Sequence, residues 1–255
     1  MHVVATAGHV DHGKSALLRA LTGMEPDRWA EERRRGLTLD LGFVWTRLPR
    51  AGQVAFVDVP GHERLVGNML AGVGPVPAVL FVVAADQGWQ PQSTEHLAVL
   101  HALGVRHAVL AVTRSDLADP APARDDALAR LADTSLGEVE AVDVSAVTGD
   151  GLDALRAALD RLAAALPGPD PDADVRLWID RSFTVRGRGC VVTGTLGAGT
   201  LRTGDRLVLA SDGRQVRVRG LQALKHAHDE VGAVARVAVN LHGVSADAVR
   251  RGDAL

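Results

Sequence analysis

The segment that most constrains the fold is residues 8–15, GHVDHGKS, which match the pattern G-x-x-x-x-G-K-S/T. It follows the apolar run 2–8 and precedes residues 15–22, SALLRALT, whose apolar positions recur at helical spacing. Between a strand and a helix, such a loop surrounds phosphate oxygens with backbone N–H groups, and the helix N-terminus adds its positive dipole end. The predicted phosphate-binding residues are Gly8, His9, Val10, Asp11, His12, Gly13, Lys14 and Ser15.

Side chains in and after this loop predict a magnesium nucleotide site. Lys14 is one of only two lysines in the chain, and we expect it to reach the β and γ phosphates, while the Ser15 hydroxyl ligates Mg²⁺. Asp58 ends an apolar strand and is placed to hold Mg²⁺ through water, and the Gly61 amide is placed to bond the γ-phosphate. Thr38 would complete the Mg²⁺ shell only with a triphosphate, which makes residues 31–43 a nucleotide switch.

The segment 113–116 predicts which base is bound. It reads Thr-Arg-Ser-Asp, where guanine-binding proteins usually have Asn-Lys-x-Asp. The carboxylate of Asp116 can accept hydrogen bonds from guanine N1–H and N2–H, which adenine cannot offer. Arg114 can lie over the base as lysine does, whereas Thr113 replaces only part of the bonding of asparagine. The second guanine-side loop is predicted at Ser145, Ala146 and Val147.

Hydrophobic patterning divides the 255 residues into two units. In residues 1–166, Val-rich runs at 2–8, 53–59, 78–86 and 107–113 alternate with helical patterns, which predicts an α/β domain whose mostly parallel sheet has helices on both faces. Residues 167–174, PGPDPDAD, are typical of a linker. Residues 175–255 contain only strand patterns, with a hairpin signal at Asp212-Gly213, and predict a small all-β barrel.

Charge changes sign between these units. Residues 1–166 carry 15 basic and 21 acidic side chains, and residues 175–255 carry 13 basic and 7 acidic ones. The second unit therefore has a net charge of +6, which favours a polyanionic partner without requiring one.

Several motifs together resemble the translational GTPases related to elongation factor Tu. They are GHVDHGKS, RGLTLD, DVPGHE and SAV, followed after the linker by RGRGCVVTGTL and RRGDAL, so that the resemblance covers essentially the whole chain. RGLTLDLGF and the Thr-Arg-x-Asp motif are similar to the selenocysteine-specific branch of the family. The resemblance implies binding of GTP, GDP and Mg²⁺, ribosome-stimulated GTP hydrolysis, and delivery of selenocysteyl-tRNA.

The resemblance also implies roles for individual residues of the first unit. His62 matches the catalytic histidine that orients the attacking water, and Val10 and Leu37 match the apolar gate that holds this histidine away. Asp11 matches a position that can coordinate a monovalent cation.

In the second unit, Asp180, Arg181 and Arg236 resemble the aminoacyl pocket of the family. Selenocysteine is an anion at neutral pH, because a selenol is more acidic than a thiol, so a selective pocket needs positive charge. Arg236 lies among apolar neighbours in AVARVAVNL, where a buried arginine requires a partner or a bound anion. Alternation along the strand leaves a second interpretation open, an outward-facing surface arginine.

We expect a cytoplasmic monomer with no membrane segment, since the N-terminus lacks a signal-peptide pattern. Its expected partners are selenocysteyl-tRNA and the ribosome, with an mRNA hairpin bound only by C-terminal domains outside these 255 residues. Three alternatives stay open: a general aminoacyl- or initiator-tRNA carrier, a metabolic GTPase subunit of the sulfate adenylyltransferase type, and a nucleotide-binding structural module.

Overall fold

The computed structural model describes residues 1–26, 41–59, 76–170 and 172–255. The chain divides into two compact units, residues 2–166 and residues 167–255. No helix within the described ranges is long and apolar enough to cross a membrane.

The first unit is built on a six-stranded sheet with the strand order β2-β3-β1-β4-β5-β6. The strands are His2–Ala7 (β1), Gly42–Leu48 (β2), Gly52–Asp58 (β3), Ala78–Ala84 (β4), His107–Thr113 (β5) and Glu140–Asp143 (β6). The described helices are Lys14–Thr22 (α1), Pro91–Ala102 (α2), Ala121–Ala132 (α3) and Leu152–Ala165 (α4). All neighbouring strands are parallel except β2, which runs antiparallel to β3 along the edge.

Helices cover both faces of this sheet. All seven residues of β4 are buried, because one face packs against α1 and α4 and the opposite face is covered as well. Leu17 of α1 and Leu155 of α4 share one core cluster with Leu80 of β4, whereas α2 and α3 contact β1 and β4 from outside that cluster. The predicted mostly parallel sheet with helices on both faces is therefore confirmed.

Two elements were not predicted from the sequence. The edge strand β2 follows the switch segment, and its connection to β3 is fixed by the Asp160 carboxylate, which accepts hydrogen bonds from the amides of Arg50 and Ala51. The helix α3 has a narrow apolar stripe, in which only Ala123, Ala127 and Leu131 are buried. The helical pattern at residues 63–72 lies outside the described residues.

The second unit is an antiparallel sheet with the order β10-β11-β14-β8-β7, to which β12 adds on β11, and a separate pair of β9 and β13. Its strands are Arg176–Val185 (β7), Gly189–Ala198 (β8), Thr200–Arg202 (β9), Arg206–Val208 (β10), Gln215–Ala223 (β11), His226–His228 (β12), Glu230–Gly232 (β13) and Ala235–His242 (β14). The hairpin predicted at Asp212-Gly213 joins β10 to β11 and is confirmed.

The last residues of the chain close this sheet. The amides of Leu177 and Ile179 on β7 donate to the carbonyls of Leu255 and Asp253, each at 2.8 Å. The amide of Ala210, just after β10, donates to the carbonyl of Ala254 at 2.8 Å. The C-terminal segment thus joins the two ends of the sheet around its core, as expected for the predicted barrel.

The side of this sheet opposite the core is called the outer face below. Strand register places three rows of side chains across β7, β8 and β14 on it, and these rows are Trp178, Thr195 and Arg236; Arg181, Thr193 and Ala238; and Phe183, Val191 and Asn240. The register shifts between Ile179 and Arg181, so Asp180 is the extra residue of a β-bulge. The bulge interrupts the alternation of β7, so the Asp180 side chain also lies on the outer face, where it accepts a hydrogen bond from Thr193.

The bulge predicts a glycine requirement on β8. A Cβ atom at Gly194 would lie 2.1 Å from the Trp178 carbonyl oxygen, whereas a Cβ at Gly220 on β11 would have no heavy atom within 4 Å. We expect Gly194→Ala to destabilise the barrel by roughly 1–3 kcal/mol, as overpacking does, and Gly220→Ala to change its stability by less than about 0.5 kcal/mol. Amide hydrogen exchange of β8 in increasing urea measures both, and equal effects would contradict the steric argument.

Candidate nucleotide site and outer-face charge cluster

The backbone of the phosphate loop takes conformations that its sequence permits. Gly8 has φ +127° and approaches β4 so closely that a Cβ would lie 2.1 Å from the Val82 carbonyl oxygen. Gly13 and Asp11 also have positive φ, and aspartate is one of the few residues that tolerate it. The first hydrogen bond of α1 runs from the Leu17 amide to the Gly13 carbonyl at 2.8 Å. The amides that precede it have no partner within the helix, which is the arrangement that the predicted anion site requires.

Lys14 lies across the loop. Its Nζ donates to the carbonyl oxygens of Gly8 at 3.0 Å and His9 at 2.7 Å, and only 7% of the residue is exposed. Burial lowers the pKa of the Lys14 ammonium to about 8, although the negative charges of Asp58 and Asp11 oppose this shift. An anionic phosphate bound beside this ammonium would favour its charged form.

Two side chains of helix α2, which sequence reasoning did not identify, hold the loop from behind. The Gly8 amide donates to His96 Nδ1 at 3.0 Å, and the Val10 amide donates to Gln92 Oε1 at 2.9 Å. Burial lowers the pKa of His96 to about 3, so its ring is neutral and can accept. The amides of Gly8 and Val10 are therefore engaged with α2, and the His12 amide donates to the His9 carbonyl at 3.4 Å within the loop. The sequence signal that could have identified His96 is its place on the buried face of the helical pattern STEHLAVL.

His9 and His12 pack beneath the loop with their rings 5.1 Å apart. His12 is fully buried, which lowers its pKa to about 4, and its Nδ1 lies 3.4 Å from the Val82 carbonyl oxygen. The two rings therefore support the shape of the loop and are not expected to contact a ligand.

The metal ligands predicted at Ser15 and Asp58 lie together. Ser15 Oγ donates to Asp58 Oδ2 at 2.6 Å, and Thr6 Oγ1 donates to Asp58 Oδ1 at 2.9 Å. Asp58 is fully buried at the end of β3. A hydroxyl and a carboxylate beside the phosphate loop fit Mg²⁺, which prefers oxygen ligands and usually takes one or two protein groups together with phosphates and waters. In the described ranges, no three His, Cys, Asp or Glu side chains form a metal cluster.

Four predicted site residues, Thr38, Gly61, His62 and Leu37, lie outside the described residues. Val10, the other predicted gate residue, is half-buried in the loop.

The base-recognition segment is tied to the phosphate loop. Thr113, which ends β5, donates from Oγ1 to the His12 carbonyl at 2.7 Å. Arg114 has φ +58°, and its guanidinium donates to the Asp11 carbonyl and, at 2.9 Å, to the Asp86 carboxylate. The Asp116 side chain is exposed to solvent. The Thr113 hydroxyl thus links the predicted base-recognition segment to the phosphate loop.

The predicted second guanine loop follows β6. Ser145 is fully buried, and its Oγ accepts hydrogen bonds from the amides of Val147 at 3.2 Å and Thr148 at 3.1 Å. Ala146 is half-buried and Val147 is 88% exposed. The two loops lie side by side beyond the carboxyl ends of β5 and β6, where open α/β sheets bind their ligands.

On the outer face of the barrel, Asp180 and Arg236 are in direct contact. The Arg236 guanidinium donates to the Asp180 carboxylate and, at 3.1 Å, to Thr195 Oγ1, and Asp180 also accepts from Thr193 Oγ1 at 2.9 Å. Only 9% of Arg236 and 1% of Asp180 are exposed. Strand register places Arg236 on the outer face, as in the second interpretation, but the residue is not a surface arginine, because the bulge places Asp180 against it and it is buried.

Arg181 and Arg251 add positive charge to this cluster. Arg181 lies on the same face, in the row next to Arg236. Arg251 Nε donates to the Asp180 carbonyl at 2.9 Å. One guanidinium, that of Arg236, contacts the Asp180 carboxylate, and Arg251 contacts the main chain of the same residue, so this part of the outer face holds three arginines and one buried carboxylate.

Comparisons with known proteins agree with this arrangement. Residues 1–165 match the family of the elongation factor Tu GTP-binding domain. The chain is 40% identical, over 99% of its length, to a selenocysteine-specific elongation factor of Desulfomicrobium baculatum, of which it spans 40%. It is 34% identical to elongation factor Tu 2 of Streptomyces avermitilis, with 98% of this chain and 70% of that protein covered.

A solved structure is also similar. The crystal structure of a bacterial selenocysteine-specific elongation factor superposes with a TM-score of 0.93 at 35% identity, covering 100% of this chain and 44% of that one. Since the family match includes every described nucleotide-site residue, this chain belongs to the elongation factor Tu family of GTP-binding proteins.

Proposed function

We propose that this chain is the GTP-binding and barrel portion of a selenocysteine-specific elongation factor, which carries selenocysteyl-tRNA to the ribosome and releases it when GTP is hydrolysed. The relatives that support this are about 2.5 times as long as the chain, since it spans 40% of one of them. The observation that carries the proposal is the buried ion pair of Asp180 and Arg236 with the half-buried Arg181 in the next row.

The nucleotide part of the proposal assigns GTP and GDP, with Mg²⁺, to the phosphate loop. Lys14 and amides of the loop would bind phosphate, Ser15 would bind Mg²⁺ directly and Asp58 through water, and Asp116 would read guanine. When bound, Mg²⁺ neutralises charge on the transferred phosphoryl group. His62 orients the attacking water, Thr38 and Gly61 sense the γ-phosphate, and Val10 and Leu37 form the gate. Asp11, whose side chain is exposed, is the proposed ligand of a monovalent cation.

The aminoacyl part of the proposal follows from charge. A selenolate bound beside Arg236 and Arg181 would meet two guanidinium groups and one carboxylate, and an ion pair with the largely buried Arg236 is stronger than one at the surface. A serine ester has no charge and gains nothing from it. Asp180 fixes the Arg236 guanidinium in place, so the arginine need not be reoriented when the ligand binds.

A groove on the same face is suited to the end of the tRNA. It encloses about 320 Å³, and its lining includes Arg188, Arg219, Val191, Gln222 and Asn240. Asn240 Nδ2 donates to the carbonyls of Arg188 and Cys190, which fixes the β7–β8 hairpin beside the groove. Apolar walls for a base and arginines for phosphates are the groups that RNA recognition requires.

The buried lysine predicts that nucleotide binding depends on pH. In the free chain, the Lys14 ammonium loses its proton near pH 8, and bound phosphate raises this pKa. We therefore expect GDP binding to take up protons and its affinity to fall between pH 7.5 and about 9.5, by up to about tenfold per pH unit. Isothermal titration calorimetry in buffers of different ionisation enthalpy measures the proton uptake. Lys225→Gln is the control, and an unchanged affinity across this range would contradict the prediction.

Asp116 predicts base specificity. Replacing its carboxylate with an amide, in Asp116→Asn, removes the acceptor for guanine N1–H and N2–H and adds a donor that suits xanthine. We expect GDP affinity to fall by about 10²-fold or more and xanthosine diphosphate to bind better than GDP. Asp119→Asn, three residues further along, is the matched control. Fluorescence titration of labelled nucleotides gives both affinities, and unchanged GDP binding would show that Asp116 does not read the base.

The aminoacyl proposal is tested by protection of the aminoacyl ester from hydrolysis. With GTP bound, we expect the chain to protect selenocysteyl-tRNA at least tenfold more than seryl-tRNA, and Asp180→Asn/Arg236→Gln to abolish this preference. The double variant leaves no single buried charge behind, and it should still bind GDP. Arg202→Gln, whose guanidinium is paired with Glu230, is the control. Equal protection of the two esters by the unaltered chain would favour a general tRNA carrier, and protection of neither would favour a metabolic GTPase.

A further inference from the structure

One carboxylate outside the predicted site residues lies against the base-recognition segment. Asp86 follows β4, and its two carboxylate oxygens accept hydrogen bonds from Arg114 Nη1 at 2.9 and 3.3 Å. The strands β1, β4 and β5 are neighbours in the sheet, so the loops that follow them, which contain Asp11, Asp86 and Arg114, meet at one edge. The Arg114 side chain connects the other two loops, because its Nη2 donates to the Asp11 carbonyl.

The turn that carries Asp86 is fixed by its own contacts. The Ala85 amide donates to the Thr113 carbonyl at 2.8 Å, directly beside the residue that the Asp86 carboxylate contacts. Three residues after Asp86, the Trp89 ring stacks on that of Phe81 with the ring centroids 5.4 Å apart. The carboxylate is therefore presented to Arg114 from a constrained backbone.

Two acceptors hold the Arg114 guanidinium at two of its edges. The N–H donors of a guanidinium lie in its plane, so the contacts with Asp11 and Asp86 define that plane and leave its faces for stacking. Only 30% of the Arg114 side chain and 28% of the Asp86 side chain are exposed. A lysine ammonium has no plane and could not be oriented in this way.

This arrangement reduces the ordering that nucleotide binding would require. A free arginine side chain samples many rotamers and must give them up to lie over a base, which weakens binding. Here the ion pair with Asp86 restricts the Arg114 side chain before a ligand arrives, and the Arg114 backbone is already held at φ +58°. Asp86 can therefore raise affinity without contacting the nucleotide.

We propose that Asp86 is a positioning residue of the nucleotide site, which acts through Arg114 and sets how tightly a stacked base is held. The inference rests on the proposed function in taking a guanine nucleotide as the ligand and Arg114 as the group that lies over the base. It separates two roles. Asp116 selects guanine through the edge of the base, whereas the contribution of Asp86 is independent of that edge, because stacking tolerates different bases.

The test is a double-mutant cycle on the binding of fluorescently labelled GDP, followed by stopped-flow. Asp86→Asn should raise the dissociation rate about three- to tenfold and change the association rate by less than about twofold. In the Arg114→Ala background the same substitution should have no further effect, because no guanidinium remains to be positioned. Glu140→Gln, which removes a carboxylate from the ion pair with Arg161 at the start of β6, is the matched control and should leave both rates unchanged.

A second nucleotide separates positioning from base selection. IDP lacks the N2 amine of GDP, so it offers Asp116 one hydrogen bond fewer. Asp86→Asn should weaken GDP and IDP by the same factor and leave the ratio of their affinities unchanged. Asp116→Asn should instead bring this ratio closer to one.

Three results would overturn the role of Asp86. They are an unchanged GDP dissociation rate in Asp86→Asn, an equal effect of this substitution with and without the Arg114 side chain, and a changed ratio of GDP to IDP affinity. Thermal unfolding is measured for every variant. A midpoint that falls in Asp86→Asn but not in Arg114→Ala would show a structural role and would also overturn it.

The inference and the proposed function can fail separately. If selenocysteyl-tRNA is not preferred over seryl-tRNA but the GDP cycle behaves as expected, the carrier function fails and the role of Asp86 stands. If selenocysteyl-tRNA is preferred but GDP dissociation does not respond to Asp86→Asn, the carrier function stands and the role of Asp86 fails.

Discussion

The nucleotide site depends on hydrogen bonds that fix an irregular loop from several sides. When the backbone amides of a loop must stay available to a ligand, they cannot form the hydrogen bonds that would stabilise the loop itself. Other contacts must then fix the loop, because buried polar groups without partners are costly. Here His96 and Gln92 take two amides, the Thr113 hydroxyl donates to one carbonyl, and the Lys14 ammonium donates to two others. The loop is thereby held in shape by α1, α2 and the end of β5.

These contacts join the predicted phosphate loop to the predicted base-recognition segment. The His12 carbonyl belongs to the phosphate loop, and Thr113 belongs to the base-recognition segment, so one 2.7 Å hydrogen bond sets the spacing between them. Arg114 strengthens the connection through the Asp11 carbonyl and the Asp86 carboxylate. Threonine is suited to position 113 because the His12 carbonyl requires only one short hydrogen-bond donor. The departure from asparagine is therefore compatible with a complete site.

Sequence patterns predicted the loop, the sheet and the two-unit organisation because each depends on local spacing. They did not reveal His96 or Gln92, which lie more than 80 residues from the amides that they accept from. Alternation left the direction of Arg236 open, and it could not predict that an outward-facing residue is buried. That burial follows from the extra residue Asp180 in β7, and nothing in WIDRSF marks the position of the bulge. Sequence patterns also did not identify Arg219 as a residue of the groove, because nothing in the sequence marks the register shift of β11 between Val218 and Gly220.

Burial and geometry distinguish the positions of arginine from that of the buried lysine in this chain. Arginine remains charged at any ordinary pH and offers a planar fork, which suits Arg236 against a carboxylate. Lys14 is different, because it is buried, and burial lowers its pKa to about 8. A lysine can relieve the cost of burial by giving up its proton when no anion is bound, and a guanidinium cannot. The phosphate loop thus holds one of only two lysines in a chain with 26 arginines.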